Sequence, residues 1–320
     1  MELINRTISI PTPQTEVKIV AMGCIHHGHA GCNERLAQFW YDKILRTRDT
    51  YCILGGDLVD SIFEKDKRYS SNEVAQWCKD AKWNNADGSG GTLMDRQFNY
   101  ALAKWRPLAE AGKILWMHEG NHEQEIRLRA SRDMTREWAY RLNVPYAGYS
   151  AHVNLIVRIG KAYPSKRRPK VAATAYRVKF YTTHGSGSAQ THGAKMNKVA
   201  AMMDAYDADV SLMWHLHDRM HRLKRSEGIG EPRGGLPPVI RNRDRLAAMC
   251  GTFLDRKRGV TNYGERKGFA PIVPGPSVIH LRRDPAPNER MRKAKPSYAP
   301  GTRIWISDAI VDPWSQEVEG

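Results

Sequence analysis

The sequence predicts an α/β fold in a single domain, and three observations carry that expectation. The first is a strand–helix–strand opening. VKIVAM at 17–22 is apolar and partly β-branched. The stretch at about 33–45 then sets Leu36, Phe39, Trp40 and Ile44 on one helical face, and 51–54 is a second short apolar run. Such an opening implies a parallel strand pair with a helix packed on the sheet. The second observation is that apolar strands and helical periodicities keep alternating as far as about residue 218. The third is that several strands end in residues that can hold metal: GCIHHGHAG follows the first, GGDLVD the second.

The remaining elements follow in order. Residues 61–100 are polar and irregular, with NNADGSGG at 84–91, and read as a functional insertion or lid. A helix at about 94–111 leads to a strand at 113–118 that ends in EGNHE. A helix over about 124–142 carries a basic stripe through Arg127, Arg129, Arg132 and Arg136. AHVNLIVRIG, the basic loop KAYPSKRRPK and YRVKFYTTHG form a β-rich stretch, followed by a helix at about 194–206 and the strand DVSLMWHLHD. The rest is rich in Gly and Pro, with short strands near 277–282 and 302–311. With neither repeat nor linker, the chain reads as one domain over 1–320, with the insertion at 61–100 and a basic C-terminal segment at 218–295.

Composition narrows the classes. No run of eighteen apolar residues is present, so no membrane span is expected. MELINRTISI lacks the features of a secretory leader, and the five cysteines have no disulfide-scaffold spacing, so a reducing cytoplasm is the expected compartment. The formal charge is +16, and residues 218–295 hold 19 basic against 8 acidic residues, a net +11. A surface of that kind suits a polyanion such as nucleic acid, or else is solvated charge with no ligand.

The strand ends define a constellation: His26, Asp57, Asn121 with His122, His184, and His215 with His217. Parallel strands deliver their C-terminal loops to one edge, so these donors are expected to converge. Imidazole with carboxylate suits Zn, Mn, Fe, Co or Ni, and a donor set this large suggests two divalent ions. His215 and His217, two residues apart at a strand end, can serve adjacent ions.

CIHHG, GGDLVD, GNHE, THG and WHLHD, in that order, resemble the D-x-H, G-D-x-x-D, G-N-H-[DE], isolated His and G-H-x-H motifs of the calcineurin-like metallophosphoesterases. The resemblance covers about 17–218, and CGTFLDRKRGVTNYGERKGFAP at 250–271 is similar to the C-terminal part of phage-encoded members, for which the host cytoplasm would be the compartment. It implies an α/β/β/α sandwich with a dimetal site at the C-terminal ends of the strands. It further implies hydrolysis of a phosphate ester by a metal-activated hydroxide. By the same resemblance Asp57 bridges two cations. His26 and His217 complete the first ion's ligands; Asn121, His184 and His215 complete the second ion's. His122 stabilises phosphoryl oxygens or protonates the leaving oxygen, and Asp60 orients a ligand imidazole or is only a helix N-cap.

Two positions depart from the family. Cys24 stands where the pattern has Asp, either as a thiolate ligand favouring zinc or as a neutral core thiol; His27 or His29 are secondary candidates to compensate. Trp214 replaces a glycine, so the loop differs there or the indole walls the site. Glu119 and Ser61 occupy positions where protein Ser/Thr phosphatases carry phosphate-clamping arginines, which argues against that activity. The leading expectation is a phosphodiesterase or nuclease acting on nucleic acid. The alternatives are a phosphomonoesterase on a small molecule or polynucleotide end, and a nucleic-acid-binding protein with a weakened metal site.

Overall fold

A computed structural model describes residues 1–61, 69–85, 91–160, 174–230, 239–255, 271–283 and 302–308. The first half of the chain supplies β1 (Glu2–Ile10), β2 (Val17–Met22), α1 (Glu34–Arg46), β3 (Thr50–Gly55), α2 (Leu93–Glu110), β4 (Ile114–His118), α3 (Asn121–Ala130) and α4 (Met134–Leu142). The second half supplies β5 (Ser150–Ile159), β6 (Thr174–Thr183), α5 (His192–Ala205), β7 (Val210–Met213), β8 (Arg219–Gly230), β9 (Val239–Thr252), β10 (Gly275–Arg283) and β11 (Thr302–Asp308). The protein is therefore a mixed α/β fold.

The strands are hydrogen-bonded along one path, β1-β5-β6-β7-β9-β10-β2-β3-β4, with β8 added to β9 and β11 to β10. The path is thin at one point: β9 and β10 share only the pairs Gly275↔Thr252 and Pro276↔Gly251. On either side of that joint lies a parallel group, β2 with β3 and β4, and β6 with β7 and β9. Apolar side chains alternate along β2 as a strand buried on both faces requires. Ile19 and Ala21 join Val153, Leu155, Phe180, Leu212 and Ala248 from the far side of the joint in one core. Val20 and Met22 turn the opposite way, to Trp40, Trp105 and Trp138 from α1, α2 and α4. A smaller cluster puts Val199 and Met202 of α5 over Met213 and Met249.

Several sequence expectations are corrected here. The helix expected over 124–142 is two, broken at Ser131, which adopts the left-handed region, with Asp133 capping α4. Its basic stripe is neutralised: Arg127 pairs with Glu119, Arg129 with Glu125, Arg132 with Asp95 and Glu137, and Arg136 with Asp133. The segment after 218 forms a long antiparallel hairpin, β8 against β9 in unbroken register from Arg219↔Cys250 to Gly230↔Val239, rather than short strands alone. β1 was not expected, although Ile4, Ile8 and Ile10 recur at the strand period and are buried. The loop KAYPSKRRPK lies outside the described residues. Among the described residues, no helix is long and apolar enough to cross a membrane.

The insertion's described part, with short 3-10 turns at Ser71–Glu73, Gln76–Lys79 and Ala81–Trp83, closes against the first strand-end turn. Ala30 N–H donates to Glu73 O at 2.7 Å and Ala75 N–H to Gly28 O at 2.8 Å. Beneath lies a part-buried polar network centred on Glu34. Its carboxylate takes His27 Nδ1 at 2.7 Å, Tyr100 OH at 3.0 Å and Trp77 Nε1 at 3.2 Å. Burial alone raises a carboxyl pKa, but His27 and these donors outweigh it and hold Glu34 down at about 2, against an ordinary 4.5. A depressed folded-state value adds stability above the unfolded pKa that is lost as pH falls through the folded one. Wild type should therefore exceed Glu34→Gln in unfolding free energy by up to about 3 kcal/mol above about pH 4.5, the gap narrowing as pH falls toward about 2. Urea unfolding across that range measures it, and a gap independent of pH would count against the network.

Candidate metal centre

The five strand-end loops converge as expected. Cys24 and His26 follow β2, Asp57 follows β3, Asn121 and His122 open α3 after β4, His184 follows β6, and His215 and His217 follow β7. Backbone bonds fix the loops to one another: Cys24 N–H donates to Gly56 O at 2.9 Å, His26 N–H to Asp57 O at 3.0 Å, and Trp214 N–H to His184 O at 3.1 Å. The donors form two groups that share Asp57. Cys24, His26, Asp57 and His217 have ligand atoms within 4.8 Å of one another, and so do Asp57, His184 and His215. Asn121 Oδ1 joins the second group, 3.2 Å from His184 Nε2 and 2.8 Å from His215 Nδ1.

The backbone there is unusual. Five of the seven candidate ligands lie at positive φ: Cys24 at 46°, His26 at 55°, Asp57 at 48°, His215 at 67° and His217 at 50°. Non-glycine residues hold such angles at a cost, and these strained positions cluster at functional sites. Glycine is required where loops touch. A Cβ on Gly120 would fall 2.1 Å from Asp57 N, and one on Gly56, at φ +85°, 2.6 Å from Gly120 N.

Glu123 holds this arrangement. Fully buried, it accepts N–H bonds from Gly120 at 2.8 Å, Asp57 at 3.0 Å, Leu58 at 2.7 Å and Val59 at 3.2 Å. Sequence reasoning used Glu123 only to compare families and missed this role; its place at the third position of α3, where a Glu reaches back to the helix start, was the available signal. His118 was missed too. It bridges Gly148 O at 2.9 Å and Thr182 Oγ1 at 2.8 Å, tying β4 to β6, and burial pushes its pKa down to about 3, so it stays neutral.

The donor set fits a cation. His184 Nδ1–H donates to Gly55 O at 2.8 Å, which turns the Nε2 lone pair toward Asp57 Oδ2 at 3.1 Å. His215 Nε2–H donates to Gly187 O at 3.0 Å, which turns Nδ1 toward the Asn121 oxygen. Acceptors thus face acceptors, an arrangement a metal ion relieves, and each ring's far nitrogen is anchored as ligating imidazoles usually are. In the first group His26 Nε2 and His217 Nε2 lie 3.2 Å apart, and the buried His26 Nδ1 has no hydrogen-bond partner.

Burial drives His26 down to about 4 and His217 well below the usual imidazole range, so both are neutral and ready to ligate. His184 runs the other way: burial opposes its charge, but Asp57 and the Gly55 carbonyl raise its pKa, while Asp57 is held well below the carboxylate range despite burial. A cation bound there would compete with protonation of His184 Nε2, the other way to relieve its contact with Asp57 Oδ2. Burial and Asp57 push the Cys24 thiol up, and only a cation beside it would reverse that.

The secondary candidates separate from the site. His27 turns away to Glu34 and, through Nε2, to Tyr41 OH at 2.9 Å, and His29 Nδ1 accepts Gly31 N–H at 2.8 Å, so neither compensates for Cys24. Asp60 sits with Oδ1 3.7 Å from His26 Nδ1 and 3.9 Å from His122 Nδ1, beside the ligands; a helix that it could cap would fall at 62–68, outside the described residues. His122 packs edge-on to His26 with ring centroids 4.7 Å apart, its Nδ1 against the Asp60 carbonyl oxygen, while its backbone N–H donates to Asp57 Oδ1 at 2.9 Å.

Trp214 lies outside the positive-φ set, so no backbone strain comes from replacing glycine. Its fully buried indole fills the space over Gly23 and Gly55, where added Cβ atoms would fall 2.4 and 2.1 Å from it. No protein-family model matches the chain, and a search of curated proteins finds no match. Trp214→Gly, which restores the residue of the resemblance, should thus destabilise the fold by about 3–5 kcal/mol, the cost of emptying a buried Trp site. Denaturant unfolding tests this; an unchanged midpoint would mean the indole does not support the floor of the site.

Proposed function

We propose that the chain is a metallophosphoesterase of α/β/β/α sandwich type that hydrolyses phosphodiesters, with nucleic acid as the substrate class. The single observation that carries this reading is one buried carboxylate, Asp57, common to two donor groups delivered by five strand-end loops. The face-by-face division of the core supports the sandwich: helices, strands, strands, helix. Cys24, His26, Asp57 and His217 would hold one divalent cation, and Asp57, Asn121, His184 and His215 a second. Such a pair supplies Lewis-acid neutralisation of phosphoryl charge and lowers the pKa of a nucleophilic water.

The chain's own residues do the rest. Gly55 and Gly187 carbonyls orient the ligand imidazoles. His122, anchored through Nδ1 to the Asp60 carbonyl, leaves Nε2 to hold or deliver a proton at the leaving oxygen. The first donor set has a thiol where an oxygen donor is usual, which favours zinc or another borderline ion there over manganese. The nucleic-acid part rests on the +11 of residues 218–295. Within the described part of that segment Lys224, Arg225 and Arg243 already pair with Asp204, Asp244 and Asp207, so a polyanion would rely on the other cations. Arg256, Lys257 and Arg258 lie outside the described residues.

Hydrolysis of bis(p-nitrophenyl) phosphate against p-nitrophenyl phosphate, with metal analysis of the same samples, tests the reading. Asp57→Asn should lose metal and turnover together. His122→Ala should keep its metal and lose about 10²–10⁴-fold in kcat. Preference for the monoester would move the substrate to phosphomonoesters, and metal-loaded protein silent on both, with DNA binding intact, would leave only a binding role.

Cys24 can be tested on its own. Zinc-loaded protein should show a zinc–sulfur distance of about 2.3 Å by X-ray absorption, and Cys24→Asp should shift binding preference from zinc toward manganese in a competition titration. A zinc shell of nitrogen and oxygen alone would make Cys24 a core thiol.

A further inference from the structure

β8 is an edge strand: it pairs with β9, and its other edge carries no strand among the described residues. Long open edges invite pairing with another chain, and proteins usually block them with bulges, prolines or charges. β8 runs for twelve residues in unbroken register, without a bulge. Along one face it shows Leu223, Arg225, Glu227 and Ile229. Leu223 is 60% exposed and Ile229 85%, and Ile240, directly across from Ile229 on β9, is 76% exposed. Large apolar residues are thus left in water beside two opposite charges on a strand that has room for a neighbour.

The order of these residues is self-complementary. A two-fold axis normal to the sheet sets an edge strand antiparallel to its copy and keeps each face with itself, so the only variable is the residue on the axis. With the axis at Lys224, Arg225 or Glu227, identical charges meet. With it at Gly228, Glu227 meets Ile229. With it at Ser226, Leu223 meets Ile229 and Arg225 meets Glu227, each contact occurring twice. On the other face the same register sets Arg222 against Gly230 and Lys224 against Gly228, so no like charges meet there either. Opposite charges and apolar pairs directly across strands are the contacts that stabilise antiparallel pairing, and like charges oppose it. Arg225 also pairs with Asp244 of its own chain, and a second acid beside it is compatible with that contact.

We propose that β8 pairs antiparallel with β8 of a second copy about a two-fold axis at Ser226, extending the sheet across a dimer. The β8 end of the sheet is then an interface rather than a charge-blocked edge. This is independent of the metal-centre reading, since neither metal nor substrate enters it.

Light scattering on the full chain should give twice the 36.4 kDa chain mass, with dissociation on dilution. Glu227→Arg, which sets arginine against Arg225 at both symmetric contacts, should yield monomer with an unchanged circular dichroism spectrum. Ser226→Cys should form a disulfide between copies on mild oxidation, because the five native cysteines are buried and only the new thiols face each other. Adding Glu227→Arg to it should abolish the cross-link. Wild type that stays monomeric at every accessible concentration, a dimer that survives Glu227→Arg, or Ser226→Cys that forms no cross-link would each overturn the proposal.

Discussion

The clamp between Glu123 and the Asp57 turn is the interaction on which the site depends. One buried carboxylate accepts four backbone N–H groups, three from the residues that carry and follow Asp57 and one from Gly120. Buried N–H groups left without partners are costly, so the clamp both satisfies the turn and fixes where the Asp57 carboxylate points. It also sets the start of α3 against that turn so closely that only glycine fits at 120. With the turn fixed, the left-handed angles of Asp57 and its neighbours are sustained by bonds from outside their own loops. Strain of this kind persists only where the surroundings over-determine it.

The two departures from the resemblance adjoin each other in space. Trp214 covers Gly23 and Gly55, while the next residue, His215, donates its N–H to Cys24 Sγ at 3.2 Å. The Gly23–Cys24 and Trp214–His215 steps therefore pack as one unit at the floor of the centre. A large indole is accommodated by two glycines, and the sulfur, in the first donor group, accepts its bond from a residue of the second. Cys24 accordingly belongs to the apolar core and to the donor group at once.

The charge distribution qualifies the polyanion argument without removing it. Net charge counts residues; affinity for phosphate depends on cations that are not already paired. The α3–α4 arginines and much of the β8–β9 hairpin are paired with nearby acids, so a stripe of Arg in sequence became a set of ion pairs in space. Exposed pairs contribute little to stability. Their consequence here is that they neutralise surface that composition alone would count as attractive.

Sequence by itself determined most of the elements between residues 17 and 213, though neither β1 nor the break between α3 and α4, and the identity of the clustered donors. Those features are local: helical and strand periodicities, and short polar motifs at strand ends. What it left undecided was relational. Whether His27 or His26 faces Asp57, whether Arg132 is free or held by Asp95, and whether the charged run after His217 is loop or hairpin depend on partners distant in the chain. β8 shows the reason most clearly. Its sequence is too polar to signal burial, and its extended form comes from pairing with β9, whose inner residues Leu246, Ala248 and Cys250 are anchored in the core. Local propensity is a weak prior against such contacts, so tertiary structure decided which charges are paired, which strands exist and which edge stays open.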